Sequence, residues 1–323
     1  MVIQIPQTGV IKKQKFDISN DVSIIYGYNN CGKTTILNAL DDVFRSRLME
    51  KFILDQTGEI AIYIPTNRIV ISENNTDNIQ LKDYEEFIHY QKDSYRDYSL
   101  HLKRLRDQLL TNRVIHSFIC RTISKIFEIN VKELSGRYSD GIENIINIYL
   151  NVIWAMTWDI DISSVTEELF NELLAQKQIY VMIDEIEMFL HVNIQSKLIG
   201  SMKADFANCS FILTTHSPLL LTRYKHCFIY GIKSGRLEKI EEDVYYEDLD
   251  CIYEQFFKVE ELPTQVRDDI NYIGDALLLS DDVDADRLHT AIETLRQEYP
   301  NLYRRYNKII TKAQNIGERN DKN

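Results

Sequence analysis

Glycine and proline are scarce, 11 and 5 among 323 residues. No Gly/Ser-rich or Pro-rich linker, internal repeat or low-complexity tract breaks the chain. Cysteine is also sparse. The five, at 31, 120, 209, 227 and 251, are odd in number and none shares a Cys-x-x-Cys spacing. That argues against a disulfide framework and a zinc ribbon, and fits a reducing compartment, so a cytoplasmic location is expected. The N-terminus lacks the basic-then-apolar order of a signal peptide. The longest apolar run, Ile145 to Trp154, is broken by Asn147 and Asn151. It falls short of the roughly 20 apolar residues a membrane span needs. There is no excess of positive charge: the net charge is −12. A protein that coats nucleic acid with its whole surface is thereby disfavoured, while a local basic patch stays open.

What remains is an ordinary globular composition, 44% hydrophobic and 27% charged. The length fits two average domains or one large α/β domain with additions. Short β-rich runs read Val22 to Tyr26, Ile60 to Ile64, Ile179 to Ile183 and Ser210 to Leu213, with helical patterns between them, the first from Lys33 to about Met49. Near-continuous β-branched runs separated by helices predict a buried, mostly parallel sheet. Phe228 to Leu237 reads as a hairpin turning at Ser234-Gly235. Residues from about 80 to 178 form a helical insertion, polar and rich in Tyr, Lys and Arg in its first part, with a helix expected around Val165 to Gln176. The expected division is a head over 1–257 and a helical extension over 258–323, anchored by Leu277, Leu278, Leu288, Ile292 and Leu295, with a frayed end from Gly317 to Asn323.

Gly27-Tyr28-Asn29-Asn30-Cys31-Gly32-Lys33-Thr34 fits the phosphate-binding pattern G-x-x-x-x-G-K-[ST], and it follows a strand and opens a helix. The glycines let backbone N–H groups curl around phosphates, and the helix start favours an anion. Gly27, Asn29, Asn30, Gly32, Lys33, Thr34 and Thr35 are therefore expected to line a nucleotide. Lys33 would reach the β- and γ-phosphates of ATP, and the Thr34 hydroxyl would bind Mg²⁺. Cys31 reads as a small residue that fits the loop, the alternative being a thiol activated at the helix N-terminus.

The strand Ile179 to Ile183 ends in Asp184-Glu185. Beside a phosphate loop, Asp184 is expected to hold Mg²⁺ and Glu185 to polarise the attacking water. Thr214-Thr215-His216-Ser217-Pro218 follows the next strand, where His216 could meet the γ-phosphate. Ser139-Asp140-Gly141 leads into the apolar pattern Ile142, Ile145, Ile146, Tyr149, Leu150, Ile153, so Ser139 is a plausible helix N-cap. The neighbouring Ser135-Gly136 is a second Ser/Gly site.

In this order, the motifs resemble those of ATP-binding-cassette-type ATPases, in the soluble branch near the OLD family, RecF and SMC proteins and the ATPases of Septu-type anti-phage systems. Ser-Asp-Gly, Ile-Asp-Glu-Ile-Glu-x-x-Leu-His and Thr-Thr-His-Ser-Pro carry the resemblance, over roughly residues 1 to 240. It implies an α/β ATPase head that dimerises on ATP, with Ser139 and Gly141 of one subunit touching the γ-phosphate held by the other. There are departures. Ile186 stands where the group often has Pro, Val192 follows His191 where Pro is common, and no Gln-loop is found. Ile64-Pro65-Thr66-Asn67-Arg68 is similar instead to a Pro-Thr-x-Arg segment of OLD-like ATPases, and Arg68 could sense phosphate, serve an interface or lie on the surface.

Full OLD proteins carry a TOPRIM nuclease after the ATPase. Here the acidic run Asp281 to Asp286 lacks the preceding elements of such a site and reads as a helix start. If DNA is cut, a partner nuclease is expected to cut it. Arg96, Lys103, Arg104, Arg106 and Arg113, against Asp97 and Asp107, could face DNA or an acidic partner, but read more simply as a solvated helix face. The expectation is an Mg²⁺-dependent ATP hydrolase acting as a homodimeric switch on an effector in anti-phage defence. A RecF-like DNA-repair ATPase and an ATP-binding scaffold with little turnover are the alternatives.

Overall fold

The computed structural model describes residues 2–54, 60–66, 95–134, 138–240, 244–245, 252, 264–276, 284–307 and 309–311. Arg68, the Ser135-Gly136 site, residues 80–94, Cys251, Leu277, Leu278, Asp281, Asp282 and the segment 317–323 lie outside the described residues. The chain divides into two compact units, Met1–Ile252 and Tyr253–Asn323.

The first unit is built on a six-stranded sheet. Its strands are β3 (Val22–Tyr26), β4 (Ile60–Ile64), β5 (Ile179–Ile183), β6 (Cys209–Thr215), β7 (Phe228–Lys233) and β8 (Arg236–Ile240), in the spatial order β4-β5-β6-β3-β7-β8. All neighbours run parallel except β8, which returns antiparallel to β7. Every residue of β3 and β5 is buried, Ser23 of β3 included, as expected of mainly apolar strands covered on both faces. Ser234 (φ 50°) and Gly235 (φ 76°) turn the β7–β8 hairpin, both in the left-handed region that a tight two-residue turn needs. The N-terminus forms a separate antiparallel pair, β1 (Val2–Ile5) with β2 (Gln14–Asp17), which sequence reasoning passed over although Val2 to Ile5 alternates out and in.

One face of the sheet is covered by β1–β2 and α1 (Lys33–Leu54), joined through Ile3, Ile5, Phe16, Ile36, Leu40, Phe44, Tyr180 and Ile212. The helix runs past the expected end at Met49. The described part of the insertion comprises α2 (Tyr95–Leu109), α3 (Arg113–Phe127), α4 (Asp140–Thr157) and α5 (Glu167–Gln176). Asn112 caps α3 by accepting from the amides of Val114 and Ile115, and Thr166 caps α5 by accepting from Leu169. Helix α4 is buried almost all round, its Asn144, Asn147 and Asn151 included. It lies against α2, α3, β4 and β5. Its Tyr149 hydroxyl donates to Asp205 Oδ2 (2.8 Å), which also accepts from Thr122. Helix α6 (Val192–Asp205) precedes β6, and the short α7 (Pro218–Thr222) follows it.

In the second unit, α8 (Thr264–Asp275), α9 (Ala285–Glu298) and α10 (Pro300–Arg305) enclose Val266, Ile273, Leu288, Ile292, Leu295 and Ile310. Asp284 caps α9 by accepting from the Arg287 amide, so the described end of the acidic run does open a helix. Among the described residues no helix is long and apolar enough to cross a membrane.

Candidate active site

Parallel strands deliver the segments that follow them to one edge of the sheet, the edge where open α/β sheets bind ligands. Tyr26 is level with Thr215 in the pairing of β3 with β6, and Ile183 with Ile64 in that of β5 with β4. Gly27 to Gly32, Pro65-Thr66, Asp184-Glu185 and His216 therefore emerge side by side. Strand β6 lies between the strand of the phosphate loop and that of the acidic pair. It also runs two residues beyond the expected Leu213, and these two, Thr214 and Thr215, carry it up into the site.

The loop's geometry is steric at heart. Gly32 has φ 107°, and a Cβ there would sit 2.7 Å from Ile11 Cδ1. A Cβ at Gly27 would meet Cys31 Sγ at 2.6 Å. Asn30 is left-handed (φ 62°) without being glycine. Asn29 and Asn30 are exposed, and Thr35 lies beside Gly9. The amide of Ile36 bonds back to Gly32 O (2.9 Å), so the helix starts at the loop's last glycine.

Lys33 is buried, and its ammonium donates to Gly27 O and Tyr28 O, both at 2.9 Å, and lies 3.2 Å from His216 Nδ1. Burial pushes its pKa below the ordinary lysine value, and Cys31 and the Glu185, Asp184 and Glu187 carboxylates pull it back up. An ammonium has only hydrogens to give, so His216 Nδ1 is the acceptor and the ring proton sits on Nε2. That nitrogen faces Glu185 Oε1 at 3.2 Å. Lys33, His216 and Glu185 thus form one continuous line of hydrogen bonds.

Asp184 anchors a second set. Its Oδ2 accepts from Thr34 Oγ1 (2.7 Å) and Thr66 Oγ1 (3.0 Å), and its Oδ1 from Thr214 Oγ1 (2.5 Å). The Thr214 hydroxyl also accepts from the Glu185 amide at 2.8 Å, holding Glu185 in its left-handed conformation (φ 46°). Glu187 accepts from the His216 amide. The convergence of Thr34, Thr66 and Asp184 on one carboxylate oxygen is an all-oxygen donor set of the kind that suits Mg²⁺, whose remaining ligands come from phosphate and water.

Comparison with known proteins finds likeness over parts of the chain. Residues 173–222, which hold β5, the acidic pair and the Thr-Thr-His-Ser segment, match a family described as "AAA domain, putative AbiEii toxin, Type IV TA system". The Retron Ec83 probable ATPase of Escherichia coli is 32% identical over 85 residues, 26% of this chain and 16% of that protein. The Retron Vc95 probable ATPase of Vibrio cholerae serotype O1 biovar El Tor is 48% identical over 42 residues, 13% of this chain and 8% of that protein. The chain thus spans under a fifth of the length of the curated relatives it matches. Among solved structures, an ATP-binding subunit of an ABC transporter aligns with 77% of the chain and 93% of its own length, at 16% identity and TM-score 0.40. The dimeric structure of a bacterial ABC transporter cassette aligns with 72% and 91%, at 12% identity and TM-score 0.39.

The head brings Lys33, Thr34, Asp184, Glu185 and His216 together. It does not bring Ser139 or Gly141 into their hydrogen-bonded set among the described residues. Ser139 stands at the N-cap of α4, and its hydroxyl makes no capping bond. Gly141 is buried against the turn after β5, where a Cβ would lie 2.7 Å from Phe189 O. One expectation is corrected: Arg106 is not on a solvated helix face but forks onto Glu143 of α4, Nη1 to Oε2 at 2.5 Å and Nη2 to Oε1 at 3.4 Å. Sequence reasoning missed Thr66, Thr214 and Glu187. Each lies inside or beside a motif that was recognised, so position at a strand's C-terminal end was the available signal.

Proposed function

We propose that the head binds ATP with Mg²⁺ and hydrolyses it. The observation that carries this is the pair of hydrogen-bonded sets at one sheet edge, Lys33–His216–Glu185 and the threonines on Asp184. Lys33 and the loop amides would bind the phosphates, and Thr34 and Asp184 would hold Mg²⁺, which supplies charge neutralisation when bound. Phosphate would compete with Gly27 O, Tyr28 O and His216 for the Lys33 ammonium. Glu185, aimed by Thr214 and His216, would orient the attacking water and draw its proton.

The second part of the proposal is a dimeric switch. Ser139 and Gly141 lie outside the hydrogen-bonded set of their own chain, which fits a site completed by α4 of a second copy. Closure on ATP and reopening on hydrolysis would then act on a partner effector, a nuclease by the resemblance of the motifs, in anti-phage defence. The two retron ATPase relatives favour that setting over DNA repair. Steady-state phosphate release tests the catalytic part. Wild type should turn over ATP only with Mg²⁺, and Glu185→Gln and Lys33→Ala should each abolish turnover. Equal turnover in wild type and Glu185→Gln would refute it, and tight ATP binding without turnover would leave the scaffold reading.

A further inference from the structure

The turn that carries Glu185 is unusual in how it is held. Between Glu185 and Leu190 the backbone makes two short turns, Met188 N to Glu185 O (3.0 Å) and Leu190 N to Glu187 O (2.9 Å). It passes through the left-handed region twice, at Glu185 (φ 46°) and Phe189 (φ 61°), neither of them glycine. Such residues persist only where the surroundings over-determine them. The sheet supplies one restraint, Ile186 N to Thr214 O (3.1 Å), and Glu187 supplies another by accepting from the His216 amide. A further restraint comes from α4. Asn144, fully buried, donates its amide to Met188 O at 2.6 Å, and Gly141, one turn earlier, leaves no room for a Cβ against Phe189 O.

The same turn of α4 is tied outward. Glu143, adjacent to Asn144, receives the Arg106 fork from α2, and both side chains are largely buried, with 14% and 21% of their surface exposed. A two-pronged guanidinium–carboxylate contact fixes orientation as well as distance. The insertion helix, the start of α4 and the Glu185 turn are thus joined end to end through Arg106, Glu143, Asn144 and Met188.

We infer that Asn144 is a positioning residue for the Glu185 turn, and that the Arg106–Glu143 pair couples the placement of α2 to hydrolysis. This rests on the ATPase reading above. With the pair intact, α4 presses its donor onto Met188 O and Glu185 stays aimed at the water position. With α2 displaced, the turn loses its hold from α4, and Glu185 loses its alignment while the phosphate loop, on α1, is untouched. The consequence is a split: turnover falls and nucleotide affinity does not.

The test uses the full chain and two independent readouts. Arg106→Gln, Glu143→Gln and Asn144→Leu should each lower kcat about tenfold while leaving the Kd for ATP within about twofold. Each should also speed hydrogen exchange of the peptide spanning 184–191. The double swap Arg106→Glu with Glu143→Arg should recover much of both. If the single variants lower Tm yet leave kcat and exchange unmoved, the pair is merely structural and the inference is overturned. Equal losses in affinity and turnover overturn it as well. If wild type shows no hydrolysis while exchange at 184–191 still responds to Arg106→Gln, the linkage stands and the ATPase reading fails.

Discussion

Thr214 offers the sharpest test of how this site is built. Its hydroxyl serves two neighbours, donating to Asp184 Oδ1 at 2.5 Å and accepting from the Glu185 amide at 2.8 Å. Thr214 and Asp184 are both buried, so water cannot take over. Thr214→Val keeps the shape and the β-branched strand preference and removes only the hydroxyl. The bond to the carboxylate is worth roughly 1.5–3 kcal/mol, and a stranded Glu185 amide costs about 1–3 kcal/mol more. A net loss of about 3 kcal/mol translates to a fall in Tm on the order of 6–12 °C for a unit of this size. Turnover should fall further than stability implies. The Glu185 backbone loses the bond that holds it left-handed, and a misplacement of about 1 Å costs roughly a hundredfold in rate. Thr214→Ser should restore most of both. Calorimetry and phosphate release on the three proteins decide it. A Thr214→Val protein with wild-type Tm and wild-type rate would show that the hydroxyl neither holds Asp184 nor aims Glu185.

Three further outcomes follow from other parts of the head. His101 is buried edge-on to Trp154, and desolvation depresses its pKa from 6.5 to about 4, with an Asn151 hydrogen bond partly offsetting. The unfolded chain therefore takes up a proton near pH 6.5 that the folded chain refuses until about pH 4. Up to about 3 kcal/mol of stability, present above pH 6.5, is lost as pH falls to 4, and denaturation curves of His101→Leu should be flatter across that window. Gly32→Ala forces φ 107° on a residue with a Cβ 2.7 Å from Ile11 Cδ1. It should cost more than about 1 kcal/mol and abolish binding of a fluorescent ATP analogue; normal binding would mean that the loop does not cradle phosphate. For the dimer, Ser139→Arg is a cleaner probe than a Gly141 substitution, because a side chain at 141 strikes Phe189 of its own chain. Mixing inactive Lys33→Ala and inactive Ser139→Arg chains should restore part of the turnover, and no recovery in mixed pairs would argue that each head works alone.

Much of this molecule was legible from the order of its residues. The strands Val22–Tyr26, Ile60–Ile64 and Ile179–Ile183 stand where mainly apolar runs put them, because a strand covered on both faces has few polar positions to interrupt it. The phosphate loop, the acidic pair and the Thr-Thr-His-Ser segment are local patterns whose chemistry needs particular residue types at particular spacings. The pair β1–β2 gives a weak signal because four residues, VIQI in one strand and QKFD in the other, are too few to show a period.

Other features depended on which strands and helices became neighbours. Thr34 and Thr66 meet on one oxygen of Asp184 across separations of 150 and 118 residues. Thr214 reaches Asp184 and Glu185 only because β6 was placed beside β5 and outruns it by two residues. Arg106 looks like any surface cation in sequence, and becomes half of an ion pair only where α2 lies along α4. Periodicity records which side of an element faces the interior, a property of each segment alone. Which element covers that side is settled by shape and burial over the whole chain, so the chemistry of the individual motifs could be read from residue order, while their assembly into one site could not.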